Sequence, residues 1–163
     1  MNMVAWSDSE NDAIVADYFA MLADNLAGRS YKKAQHNRAL QVKIGRSRGS
    51  IEFKHQNISA GLIGLGESWI KGYKPAFNFQ MALVDAIARY IAKAQIEIGA
   101  MLDVRGFANA SPLWMTTAPT HKNTPPPEEL ERMQAIARKY DVAASDKRNR
   151  VLGKAGEERA LYH

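Results

Sequence analysis

Between Arg46 and Gly66 the chain reads RSRGSIEFKHQNISAGLIGLG, so that arginine, lysine, histidine, asparagine, glutamine and serine all fall within a dozen positions. These side chains can hold phosphates and read the edges of bases. Ser47 is placed to cap a helix, because its hydroxyl can accept from the free backbone N–H groups of the next turn. Arg46 and Arg48 stand beside that helix N-terminus, where an anion is favoured. Within the helix Ile51, Ile58 and Leu62, with Phe53 or His55 at the flank, recur at helical spacing and draw one apolar stripe. Arg48, Ser50, Lys54, Gln56 and Asn57 fall largely off the stripe. The arginines are then phosphate candidates, and Gln56 and Asn57 are base-edge candidates. Two competing readings remain open: a merely solvated helix face, and, for Asn57, an amide that satisfies a buried backbone group.

Other chemistries find less in the residues. His36 and His55 are a tempting pair, but four histidines scattered through a chain with no cysteine lack zinc-site spacing. No Gly-x-Ser-x-Gly elbow is present. Gly61, Gly64 and Gly66 follow no strand and have no acidic residue at the distance a dinucleotide fingerprint requires. The expectation is a protein with no catalytic residues, no metal and no cofactor.

Charge is distributed unevenly. The first 28 residues carry Asp8, Glu10, Asp12, Asp17 and Asp24 and no cation, whereas residues 29–74 carry ten cations against only Glu52 and Glu67. A segment so basic attracts a polyanion and steers its approach. Lys32, Lys33 and Arg38 join Arg46 and Arg48 as phosphate candidates. Lys71 and Lys74 lie in an aromatic loop, ESWIKGYKPAF, whose Trp69, Tyr73 and Phe77 either stack on a base or form a hydrophobic lid. The absence of cysteine makes a reducing cytoplasm the natural compartment. No apolar run approaches the roughly 20 residues of a membrane span.

The elements that must position these residues read as all-α. Ser7-Asp8-Ser9-Glu10 is a capping box, and the pattern from it predicts a helix over Asp8–Ala27 stopped by Gly28. Further helices are expected over Tyr31–Ile44, closed by Gly45, over Arg48–Leu65, over Phe79–Leu102, over Pro127–Lys139 and from Asp146 to the end. The first three make a compact, helix-turn-helix-like trio. The fourth is a scaffold helix apolar on more than one face, and so buried between neighbours or paired with a partner chain. By this reading residues 1–103 are a helical DNA-binding domain, 104–126 an irregular proline-containing connection, and 127–163 a helical tail.

Several blocks carry a family resemblance. They are Trp6-Ser7-x-x-Glu10-Asn11 with Ile14 to Leu22, Lys33-Ala34-x-His36-Asn37-Arg38, the Arg46-to-Ala60 block containing KHQNIS, and Gly72-Tyr73-Lys74-Pro75. Over about residues 6–91 the chain resembles the N-terminal helical module of bacterial restriction-endonuclease-like proteins. In those proteins the module precedes a nuclease domain related to the C-terminal domain of the plant NO VEIN protein. Arg148-Asn149-Arg150-x-Leu152-Gly153-x-x-Gly156-Glu157-Glu158 is similar to the first helix of that nuclease domain. The resemblance implies a restriction or defence role, binding of duplex DNA, modified DNA included, and a downstream nuclease domain or effector. PD-(D/E)xK nucleases hold metal on a sheet that follows this helix, and the sheet is absent here, so the chain is expected not to cut. Whether it is a fragment of a longer nuclease or a complete short reader stays open. A different class of function is also consistent with the sequence: a protein-interaction or homodimerisation domain built on the long helix, without nucleic-acid binding.

Overall fold

A computed structural model describes residues 5–105 and 123–140. The first helix, α1 (Asp8–Leu26), begins on the capping box: Ser7 Oγ accepts from Glu10 N, and Glu10 Oε1 accepts from Ser7 N at 3.1 Å. Helix α2 (Lys33–Ile44) has no side-chain cap at its start and ends at Gly45, whose φ of 69° is left-handed. Two residues later Ser47 caps α3 (Arg48–Leu65) by accepting from Ser50 N. Helix α4 spans Met81–Arg105, and residues 127–140 form α5. Proline stands at the first position of α5, where its missing N–H costs nothing, and Pro126 O takes the first helical bond from Leu130 N. No strand occurs among the described residues, and the fold is all-helical.

The centre of the molecule is α3. Helices α1, α2 and α4 all pack on it, and its residues from Asn57 to Leu62 are buried without a break. An all-round burial of that kind needs close approach on several sides. Two glycines supply it: a Cβ at Gly61 would press on Ile87 of α4, and one at Gly64 would overlap the Met133 thiomethyl of α5. Thus the glycines that thin the end of α3 in the sequence are contact points inside a continuous helix. The apolar stripe expected on α3 is present, and His55 rather than Phe53 completes it. His55 is fully buried, whereas Phe53 is 43% exposed. The reason is angular, since positions 51, 55, 58 and 62 share one helix face and 53 points nearly opposite to 51.

Three elements differ from expectation. Helix α4 starts at Met81 and runs to Arg105, so Val104 and Arg105, assigned to the irregular connection, are helical. Helix α5 is set in the same core as the others: Met133 is fully buried, and the Tyr140 hydroxyl donates to Asp85 at 3.0 Å. Residues 127–140 are therefore packed on the body from which the sequence reading separated them. Helix α2 begins at Lys33 rather than Tyr31 and buries only Leu40 and Asn37, leaving Val42 89% exposed. The expected helix from Asp146 lies outside the described residues.

The aromatic loop is a lid. Trp69, Ile70 and Tyr73 are buried in the core. Tyr18 anchors the loop from α1: its hydroxyl accepts from Ile70 N at 2.8 Å and bonds Ser59 Oγ at 2.7 Å. Burial pushes both the Tyr18 and the Tyr73 phenols well above the usual tyrosine range, so each remains a neutral hydroxyl.

Candidate nucleic-acid interface

The ten cations of residues 29–74 divide into two groups. Arg29 pairs with Asp24 at 2.9 Å. Lys33 donates to Gly72 O at 2.9 Å and lies 4.3 Å from the centre of the Tyr73 ring, clamping the aromatic loop to α2. Arg46 makes a two-pronged pair with Glu10, Nε to Oε2 at 2.5 Å and Nη2 to Oε1 at 3.0 Å, and also donates to Ala5 O. Lys54 is buried, its ammonium 4.8 Å from the centre of the Trp6 ring. The other six, Lys32, Arg38, Lys43, Arg48, Lys71 and Lys74, are exposed and enter no ion pair among the described residues.

This division corrects several assignments. Arg46 does not stand free at the start of α3. Its guanidinium joins the segment before α3 to the start of α1, and it holds the Glu10 carboxyl down to about 2. Lys54 falls inside the fold because position 54 lies toward α1 and Trp6. Asn57 is not on a readable face either: it is buried, and its Nδ2 donates to Ala76 O at 2.8 Å. A buried carbonyl left without that donor would lose free energy on folding, so the residue has a structural task. Gln56 is half-buried, and its backbone oxygen accepts from Ala76 N. Ser47 is a cap, as its spacing implied, and Ser50 is exposed one turn along.

What stays outward on α3 is therefore its beginning: Arg48, Gly49, Ser50 and Phe53. Helix α2 is pinned to this end, with Asn37 Nδ2 donating to Arg48 O at 3.2 Å and Gln41 Nε2 donating to Asn37 Oδ1. Arg38 and Lys43 leave α2 on either side of that junction.

One grouping was not legible in the sequence. Asp17 of α1 bridges the two histidines, accepting from His36 Nδ1 at 2.7 Å and from His55 Nε2 at 3.2 Å. An ionised carboxylate only accepts, so each ring carries its proton on the nitrogen facing Asp17. Nδ1 of His55 has no partner and the ring packs on Tyr73 with centroids 4.7 Å apart. This bridge ties α1, α2 and α3 together. Among the described residues no three side chains of the metal-ligating types are grouped to hold an ion. None of their described helices is long and apolar enough to cross a membrane.

No family model, no curated protein and no solved structure matches this chain. The geometry defines an all-helical protein with a buried central helix whose start emerges among unpaired cations.

Proposed function

We propose that the chain binds duplex DNA through the surface formed by α2 and the start of α3. The observation that carries this reading is the set of six exposed cations without acidic partners, on a fold that holds its other four from residues 29–74 inside: Arg29 and Arg46 on carboxylates, Lys33 on Gly72 O and the Tyr73 ring, and Lys54 over Trp6. Arg38, Lys43 and Arg48 border the capped start of α3, and Lys32, Lys71 and Lys74 extend the positive surface toward the aromatic loop. Backbone phosphates suit such a surface, and Ser50 and Gln56 are the polar side chains left for base edges. The restriction or defence role, the reading of modified bases and the delivery of a downstream nuclease or effector follow from the family resemblance and belong to the same proposal. In it the chain binds without cutting.

The test is fluorescence anisotropy of labelled duplexes, unmodified and methylated, across a salt series. The logarithm of affinity is expected to fall linearly with the logarithm of salt, with a slope no steeper than about −5 if all six cations meet phosphates. Charge reversal at Arg38 and Arg48 together should remove binding. A chain that ignores DNA while its mass rises with concentration in sedimentation would establish the interaction or homodimerisation reading in its place.

A further inference from the structure

Lys54 is the outlier among the cations. It is 8% exposed, yet no acid and no hydrogen-bond acceptor among the described residues receives its ammonium. The Arg46 guanidinium lies 4.9 Å from the same Trp6 ring, so two cations converge where Glu10 supplies a single carboxylate, and Arg46 engages both of its oxygens. Burial, and then the nearby Arg46, push the Lys54 ammonium below the usual lysine range, only partly offset by Glu10. Its side chain lines a cleft of about 1130 Å³ between Trp6, the first turns of α3 and the segment 78–80. A largely desolvated cation crowded by a second one gains from an anion that enters beside it.

The rest of the cleft is built for more than an anion. The start of α3 opens into it. Ser47 satisfies Ser50 N, but the first-turn N–H groups of Arg48 and Gly49 have no acceptor among the described residues. Space beside Gly49 is open, since a Cβ there would meet nothing within 4 Å. Phe53 offers an exposed ring on one wall, and Asn78 and Gln80 bring exposed amide side chains on the other. Phosphate, flat ring and amide-lined edge are the three demands of a nucleotide.

We infer that this cleft receives one nucleotide, its phosphate between the α3 N-terminus and Lys54 and its base against Phe53. Two sources share this chemistry: a free mononucleotide, and a nucleotide extruded from the bound duplex into the protein. Only the second source rests on the duplex-binding reading.

The experiment has three arms on the full chain. Deoxynucleoside monophosphates, with inorganic phosphate as control, are titrated against acetylation of Lys54 by acetic anhydride, followed by peptide mass mapping. Duplexes carrying one 2-aminopurine are titrated with protein, since that base brightens when it leaves the stack. Anisotropy of the same duplexes records binding itself. The expected result is at least a several-fold brightening that Lys54→Met and Phe53→Ala each abolish, with melting curves confirming that both variants are folded. Should Lys54→Met prove unfolded, protection of Lys54 in the wild-type chain and the Phe53→Ala variant decide. Duplex binding without brightening, and with no protection of Lys54 by mononucleotides, overturns the cleft while the duplex reading stands. Protection by mononucleotides without duplex binding supports the cleft with a free nucleotide as its ligand and removes the duplex reading. Protection by inorganic phosphate equal to that by nucleotides overturns the part given to the base.

Discussion

The two halves of α3 meet different surroundings, and polarity alone does not account for which of their residues are buried. In its second half Asn57, Ser59 and Gly61 are as buried as Ile58 and Leu62, held by Ala76 O, by the Tyr18 hydroxyl and by the side chain of Ile87. Over its first two turns Arg48, Gly49, Ser50 and Phe53 face outward, an apolar ring among them. Polarity therefore does not separate core from surface along this helix. What separates them is how many sides of each turn are covered: α1, α4, α5 and the aromatic loop surround the second half, while α1, α2 and Tyr73 cover the first half and leave its outer side open.

The contrast can be broken from the buried end first. Met133→Ala removes a fully buried side chain from the contact with Gly64 and should cost about 2–5 kcal/mol, read as a lower denaturant midpoint. A negligible loss would show that α5 is not part of the core. Asn57→Ala should cost about 1–3 kcal/mol by leaving Ala76 O without its donor, and should change the affinity for preferred and random duplexes alike. A selective loss on one sequence would return Asn57 to the interface.

Glu10→Gln tests the tie between α1 and the start of α3. The pair is partly buried and two-pronged, and its loss should cost about 1–2 kcal/mol at neutral pH. Because Arg46 holds the folded carboxyl at about 2, below the ordinary 4.5, this stabilisation is complete above pH 4.5 and fades as pH falls toward 2. The deficit of Glu10→Gln in urea titrations should shrink over the same window. At the exposed end, Arg48→Ala should alter stability by no more than about 0.5 kcal/mol, yet lower the salt slope of duplex binding by about one unit. Unchanged slope and affinity would exclude Arg48 from the phosphate contacts and shift attention to Lys71 and Lys74.

The sequence by itself determined the helices of the described residues and those of their ends that carry a local cap or stop. Ser7 with Glu10, Ser47, Gly28 and Gly45 act within a turn of their own positions, so the starts of α1 and α3 and the glycine stops after α1 and α2 were legible from local chemistry, whereas the αL cap at Gly66 was not read. It also determined the apolar spacing of α3 and the one-sided charge of residues 29–74. Only the tertiary structure decided which cations are free. Arg46 meets Glu10 across 36 positions, Lys33 meets Gly72 across 39, and Asp17 reaches His55 across 38. Such partners are chosen by how helices pack, and helical spacing gives a residue's face without saying which neighbour that face will meet. For the same reason Lys54, which reads as one more basic residue in a basic run, became a buried cation over the Trp6 ring in the wall of a cleft.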